Sequence, residues 1–111
     1  VWAARTLLHV WSDRATAAVV NGLADPAWRV REMCAKVVAR WELGAAAERC
    51  VDGLGDETPR VRAAAVRALG AVGEGEHAGA VRAALDDPDP AVRRAAECAL
   101  RELTRRLDRE L

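Results

Sequence analysis

Asp and Arg stand six residues apart three times in this chain, as Asp25/Arg31, Asp56/Arg62 and Asp87/Arg93. Each Arg follows a Val, and each Asp lies two residues after a Leu (Leu23, Leu54, Leu85). A guanidinium and a carboxylate can exchange two parallel charge-assisted hydrogen bonds. An Arg left half-buried without such a partner would be costly. One copy of the pair per repeat suits a structural device better than a single reacting centre. A second set of cations has another character. Arg5, Lys36 and Arg67 share one column of the repeat with Cys98, and His9 and Arg40 share another with Ala71 and Glu102. Arg29 and Arg60 fill a third column near a helix start. Lined up on one surface, these side chains make a basic stripe able to hold phosphates or an acidic protein segment. The stripe fades where Ala91, Glu97 and Glu102 take over. Glu32, Lys36 and Arg40, four residues apart, equally suit pairing along a solvated helix face.

Signs of catalysis are weak. The two histidines, His9 and His77, belong to no Ser-His-Asp order and no H-E-x-x-H segment, and Gly73-Glu74-Gly75 is a connector, not a phosphate loop. Cys34, Cys50 and Cys98 are odd in number and lack metal-ligand spacing. Cys34 and Cys50 replace small apolar residues in core columns, so both read as buried free thiols, and a reducing, cytoplasmic setting follows. No cofactor or metal is expected. Seventeen basic residues balance seventeen acidic ones, which removes the general charge argument for nucleic acid. No apolar run approaches the roughly 18 residues of a membrane span.

The elements that position these groups repeat every 31 residues without insertion or deletion: Leu23 to Arg31 aligns with Leu54 to Arg62 and with Leu85 to Arg93. A fixed period of this length marks a stacked helical array. Val30, Met33, Cys34, Val37, Val38 and Trp41 recur at spacings of three and four, one apolar helical face. Its copies are Val61, Ala64, Ala65, Ala68, Leu69 and Val72, then Val92, Ala95, Ala96, Ala99, Leu100 and Leu103. Thr58-Pro59 and Asp89-Pro90 offer a capping side chain followed by Pro at the first helical position. Gly44 is read as the stop of the first long helix, and Gly70 and Gly73 as the stop of the second. Shorter helices run from about Arg14 to Leu23, Ala45 to Leu54 and Glu76 to Leu85. Small residues before each leucine (Gly22, Gly53, Ala84) let those helix ends sit close to the next long helix. The last long helix has no Gly stop. It runs on through Leu103, Leu107 and Leu111, with Arg101, Arg105, Asp108 and Arg109 on its other face, as a capping element should.

The recurring Leu, Asp and Val-Arg, with an Ala-rich run into Leu69-Gly70, resemble HEAT repeats over the whole chain. The short unit is similar to the bacterial subtype of phycobilisome bilin lyases. The resemblance implies a ladder of Asp25, Arg31, Asp56, Arg62, Asp87 and Arg93 between neighbouring units, and long helices that line an inner, concave surface.

These readings converge on an all-α, right-handed α-solenoid of about 3.5 HEAT-like repeats and roughly seven helices. Residues 1–111 form one domain: a partial repeat at 1–11, then repeats at about 12–43, 44–74 and 75–111. Val1 falls in mid-pattern, so the chain reads as a fragment of a longer array. The expected function is a non-enzymatic protein-binding scaffold in a bacterial cytoplasm. It would use a concave stripe of Arg5, His9, Arg29, Lys36, Arg40, Arg60 and Arg67, with Trp11 and Trp28 as partner anchors. Trp2 and Trp41 fall in core columns. The alternative is a nucleic-acid or anion-binding module on the same stripe. An enzyme subunit resembling a bilin lyase or a DNA glycosylase is disfavoured, since nothing marks a pigment site and no Asp falls in a concave column.

Overall fold

The computed structural model describes residues 13–110, with side chains as far as Asp108. Six α-helices lie among them. Helix α1 covers 13–22. It is followed by α2 (Trp28–Trp41), α3 (Ala47–Gly53), α4 (Pro59–Val72), α5 (Ala78–Ala83) and α6 (Pro90–Glu110). Single 3-10 turns at Gly44–Ala46 and Gly75–His77 lead into α3 and α5, and a third at Ala84–Asp86 follows α5. The long helices pack side by side, α2 on α4 and α4 on α6, and the short helices α3 and α5 back them in a second layer. The molecule is only 18 Å thick along its shortest axis, close to two helix diameters. The chain is therefore a small α-solenoid. The partial long helix expected over 1–11, with Trp2, Arg5, His9 and Trp11, lies outside the described residues, as does Leu111.

Alanine makes this stacking possible. A methyl-lined helix face lets its neighbour approach closely and excludes water with many small contacts. The core runs from Val38 through Ala46, Cys50, Val66, Ala68 and Leu69 to Val81, Val92 and Ala96, each no more than 1% exposed. Gly53 sits so near α4 that a Cβ there would lie 2.9 Å from the Ala65 Cβ. The expected column of small residues before each leucine thus has its steric reason.

Three expectations are corrected. Gly70 does not stop α4; it lies inside it, at the closest approach to α6, where an added Cβ would meet the Ala99 Cα at 2.7 Å. Gly44 does not stop α2 either. The left-handed residue that ends α2 is Glu42 (φ 52°), whose N–H donates to the Val38 carbonyl. Thr58 makes no side-chain cap. The capping work at each loop falls to the repeat aspartates instead. Asp25, Asp56 and Asp87 each accept the backbone N–H two residues on, at 2.8, 2.9 and 2.8 Å. Asp89 does cap α6 as expected, accepting the Ala91 N–H at 2.8 Å.

A fourth correction concerns α2. Its expected core face is largely open: Val30 is 39% exposed, and Met33 and Trp41 are each 66% exposed. The equivalent α4 residues Val61, Ala64 and Val72 are buried. Among the described residues, α2 has a long helix on one side only and α4 has one on both.

Candidate binding groove

The paired Asp and Arg columns are built as a ladder. Arg31 donates from Nε to Asp56 Oδ2 at 2.7 Å and from Nη2 to Oδ1 at 3.2 Å. Arg62 repeats the fork on Asp87 at 2.9 and 3.1 Å. The remaining nitrogen of each Arg turns back to its own loop. Arg31 Nη1 meets the carbonyls of Asp25 and Pro26, and Arg62 Nη1 those of Asp56 and Glu57. Arg93 makes the same backward bonds, to the carbonyls of Asp87 and Pro88. Each full rung therefore ties the carbonyls of one loop to the Asx turn of the next.

The charges respond. Hydrogen bonding to Arg62 holds the Asp87 carboxyl below the usual carboxylate range against the opposing effect of burial. Burial pushes Asp56 up, but the bonds from Arg31 and the Thr58 N–H, with the Arg31 charge, outweigh it and leave the group lowered. The guanidiniums of Arg31 and Arg62 shift up, chiefly through those same bonds. The forked atoms of Arg31, Asp56, Arg62 and Asp87 are all committed to their neighbours.

The long helices line a shallow groove in two joined depressions. One is walled by Glu32, Lys36, Pro59, Arg60, Ala63, Arg67, Asp89 and Ala91. The next is walled by Ala39, Glu42, Arg67, Gly70, Ala71, Cys98, Ala99 and Glu102. Small residues form the floor, charges form the rims, and Arg67 belongs to both. Of the expected stripe, Arg29, Lys36, Arg60 and Arg67 come together on this face, with Trp28 beside them. Arg40 is exposed in the last turn of α2 and lines neither depression. Trp28 is half-buried, not a free anchor. The Arg29 guanidinium lies 5.3 Å from its ring centroid and that of Arg60 5.5 Å.

Not foreseen was the part played by Glu32. Its side chain is 12% exposed and is held by two cations, Arg60 Nε at 2.9 Å and Lys36 Nζ at 3.5 Å. Four-residue spacing gives Lys36 as a partner, but Arg60 comes from the next repeat, 28 positions on. The expectation that no Asp would reach the concave face is also corrected, since Asp89 lines the groove; its Oδ1 is engaged by the α6 cap.

Cys98 is exposed in the groove, Cys34 is half-buried and Cys50 is buried. All three are free thiols. Burial pushes the Cys50 thiol up to about 11 and also raises Cys34, with the Asp25 charge adding to the latter.

Behind the groove, Glu48, Glu76 and His77 bring three potential metal-ligand atoms within 4.8 Å of one another. Hydrogen bonding decides what they do. His77 Nδ1 accepts the Glu74 N–H at 2.7 Å, so the ring proton sits on Nε2 and is donated to Glu48 Oε1 at 2.9 Å. A metal on Nε2 would force that proton onto Nδ1, against the Glu74 N–H. His77 is instead the buried link between the starts of α3 and α5, closing a capping box with Glu74.

The molecule combines a two-layer helical array of 31-residue period, a loop-to-loop Asp–Arg ladder and a groove along its long helices. The family model for HEAT repeats matches residues 16–101. The chain belongs to the HEAT-repeat family. No curated protein matches it. HEAT repeats serve in general as protein-interaction scaffolds, and no helix among the described residues is long and apolar enough to cross a membrane.

Proposed function

We propose that this HEAT-repeat chain is a non-enzymatic scaffold that binds a protein segment in the groove of α2, α4 and α6. The observation that carries this reading is a groove whose rims carry both signs of charge. Lys36, Arg60 and Arg67 line it together with Glu32, Glu42, Asp89 and Glu102, and Arg29 lies alongside. A polypeptide can carry both signs in sequence and match such a mixed rim. A nucleic-acid backbone is uniformly negative and would meet the carboxylates of Glu32, Glu42, Asp89 and Glu102 on the groove rims. The alanine and glycine floor lets a bound main chain approach closely. The two full ladder rungs and the His77 link are satisfied internally, and the groove's lining among the described residues includes no nucleophile–base pair of the kind catalysis needs. Three unpaired thiols suit a reducing compartment such as the cytoplasm.

The experiment is site-specific photo-crosslinking in the native host. A photoreactive residue at Arg67, in the groove, is compared with one at Gly79, exposed on the second layer. Discrete protein adducts from position 67 and none from 79 are expected. Adducts of equal yield from both, or adducts to nucleic acid alone, overturn the reading. The basic stripe favours nucleic acid as the second reading, which a mobility-shift assay at low salt tests. Absence of retardation removes it.

A further inference from the structure

Trp28 stands at the first position of α2, where α4 and α6 have Pro59 and Pro90. The substitution turns a structural column into a stacking platform. Two guanidiniums lie over its indole at 5.3 and 5.5 Å, Arg29 from its own helix and Arg60 from the next. A guanidinium stacked on a ring keeps its in-plane N–H donors pointing outward, in a fork that matches a carboxylate. Arg60 spends its Nε on Glu32 and keeps its outer nitrogens, and Arg29 has no ion pair among the described residues. The same Glu32 oxygen, Oε2, also draws in Lys36 at 3.5 Å. One nearly buried carboxylate thus spaces two cations while the indole spaces two guanidiniums. The cluster of Arg29, Lys36 and Arg60 around Glu32 keeps an excess of two positive charges. Arg29 and Arg60 also sit in the first turns of long helices, where the aligned peptide dipoles add positive potential.

We infer that this cluster is a preorganised receptor for an acidic peptide segment, with carboxylates taken by Arg29 and Arg60 and the segment running toward Arg67. The inference rests on the scaffold reading and names the chemistry of its partner. Trp28 and Glu32 act as positioning residues that hold the two forks and make no contact of their own with the carboxylates.

The test uses the full chain and fluorescence anisotropy with a labelled octaglutamate peptide, beside octalysine and a twenty-nucleotide oligothymidylate. Octaglutamate is expected to bind and to weaken as salt rises. R29A/R60A is expected to lose at least tenfold in affinity with an unchanged far-ultraviolet spectrum. R29E/R60E is expected to prefer octalysine. W28A keeps every cation, and a loss of several-fold there identifies preorganisation, since charge alone would leave affinity unmoved. Equal octaglutamate binding by wild type and R29A/R60A overturns the inference, as does tighter Arg-dependent binding of the oligothymidylate. Protein crosslinks that persist at position 67 in R29A/R60A would remove the clamp and leave the scaffold standing.

Discussion

Helices α2 and α4 are copies of one another in sequence register, yet one face that is covered in α4 is open in α2. Val30 and Val61 occupy one column, yet they are 39% and 3% exposed; Met33 and Ala64 share another, at 66% and 2%. Trp41 at 66% answers Val72 at 7%. In an array where each unit touches only its neighbours, a residue's burial is a property of what stands beside it. A column assignment says which face a residue is on. Whether that face is covered depends on the next repeat.

Substitutions can break or sharpen this contrast. The largest effect is expected within α4, where Leu69 is fully buried. Leu69→Ala should cost about 3 kcal/mol, measured by urea unfolding. Met33→Ala in α2, at a far more exposed site, should cost less than about 1 kcal/mol. Equal costs would mean that the open face of α2 is covered in solution.

The ladder offers the second contrast. Asp87 accepts a two-bond fork from Arg62, and Asp25 accepts only the Ala27 N–H among the described residues. Asp87→Ala should cost about 2 kcal/mol and Asp25→Ala roughly half as much, since it removes an Asx cap alone. The pH dependence follows in sign. The folded-state values of Asp56 and Asp87 lie below the ordinary one, so their contribution is fully present above the usual carboxylate range. It is lost as pH falls through the lowered values, from about pH 4 downward. A thermal-melt series across that range should fall less steeply for Asp87→Asn than for wild type.

The smallest effect is kinetic. Iodoacetamide at mildly alkaline pH should label Cys98 first, then Cys34. Cys50, buried and with its thiol pushed up to about 11, should stay unlabelled until unfolding. Mass spectrometry of timed samples reads the order directly, and early labelling at Cys50 would show that α3 opens locally.

The architecture was readable because its causes are local and repeated. Leu, Asp, Val and Arg recur at fixed spacing, and each has one physical job per unit. What escaped the sequence depends on pairs of distant residues. Glu32 could be matched to Lys36 by helical spacing, but its bond to Arg60 exists only once α2 and α4 are side by side. His77 looked like an isolated histidine until Glu48, 29 residues earlier, came within 2.9 Å. Gly70 reads as a stop in any single helix. Its role as a contact point belongs to the pair α4–α6. The groove cations Arg29, Lys36, Arg60 and Arg67 were found because they repeat by column, whereas the aromatic platform that organises two of them was visible only as a departure from Pro.

The stack is held by two spacers of different width. At the loop end, neighbouring units are kept apart by a guanidinium between a row of carbonyls and a carboxylate. Further along, α4 and α6 are separated at Gly70 by little more than a hydrogen atom, whereas the same column in α2 holds Ala39. Layers with unequal spacers along their edges form a wedge, and a stack of wedges curves. The radius of the groove is thus encoded as a ratio of two small distances. Exchanging Gly70 for Ala, or Ala39 for Gly, would retune that radius through the groove floor while leaving every charged rim residue in place.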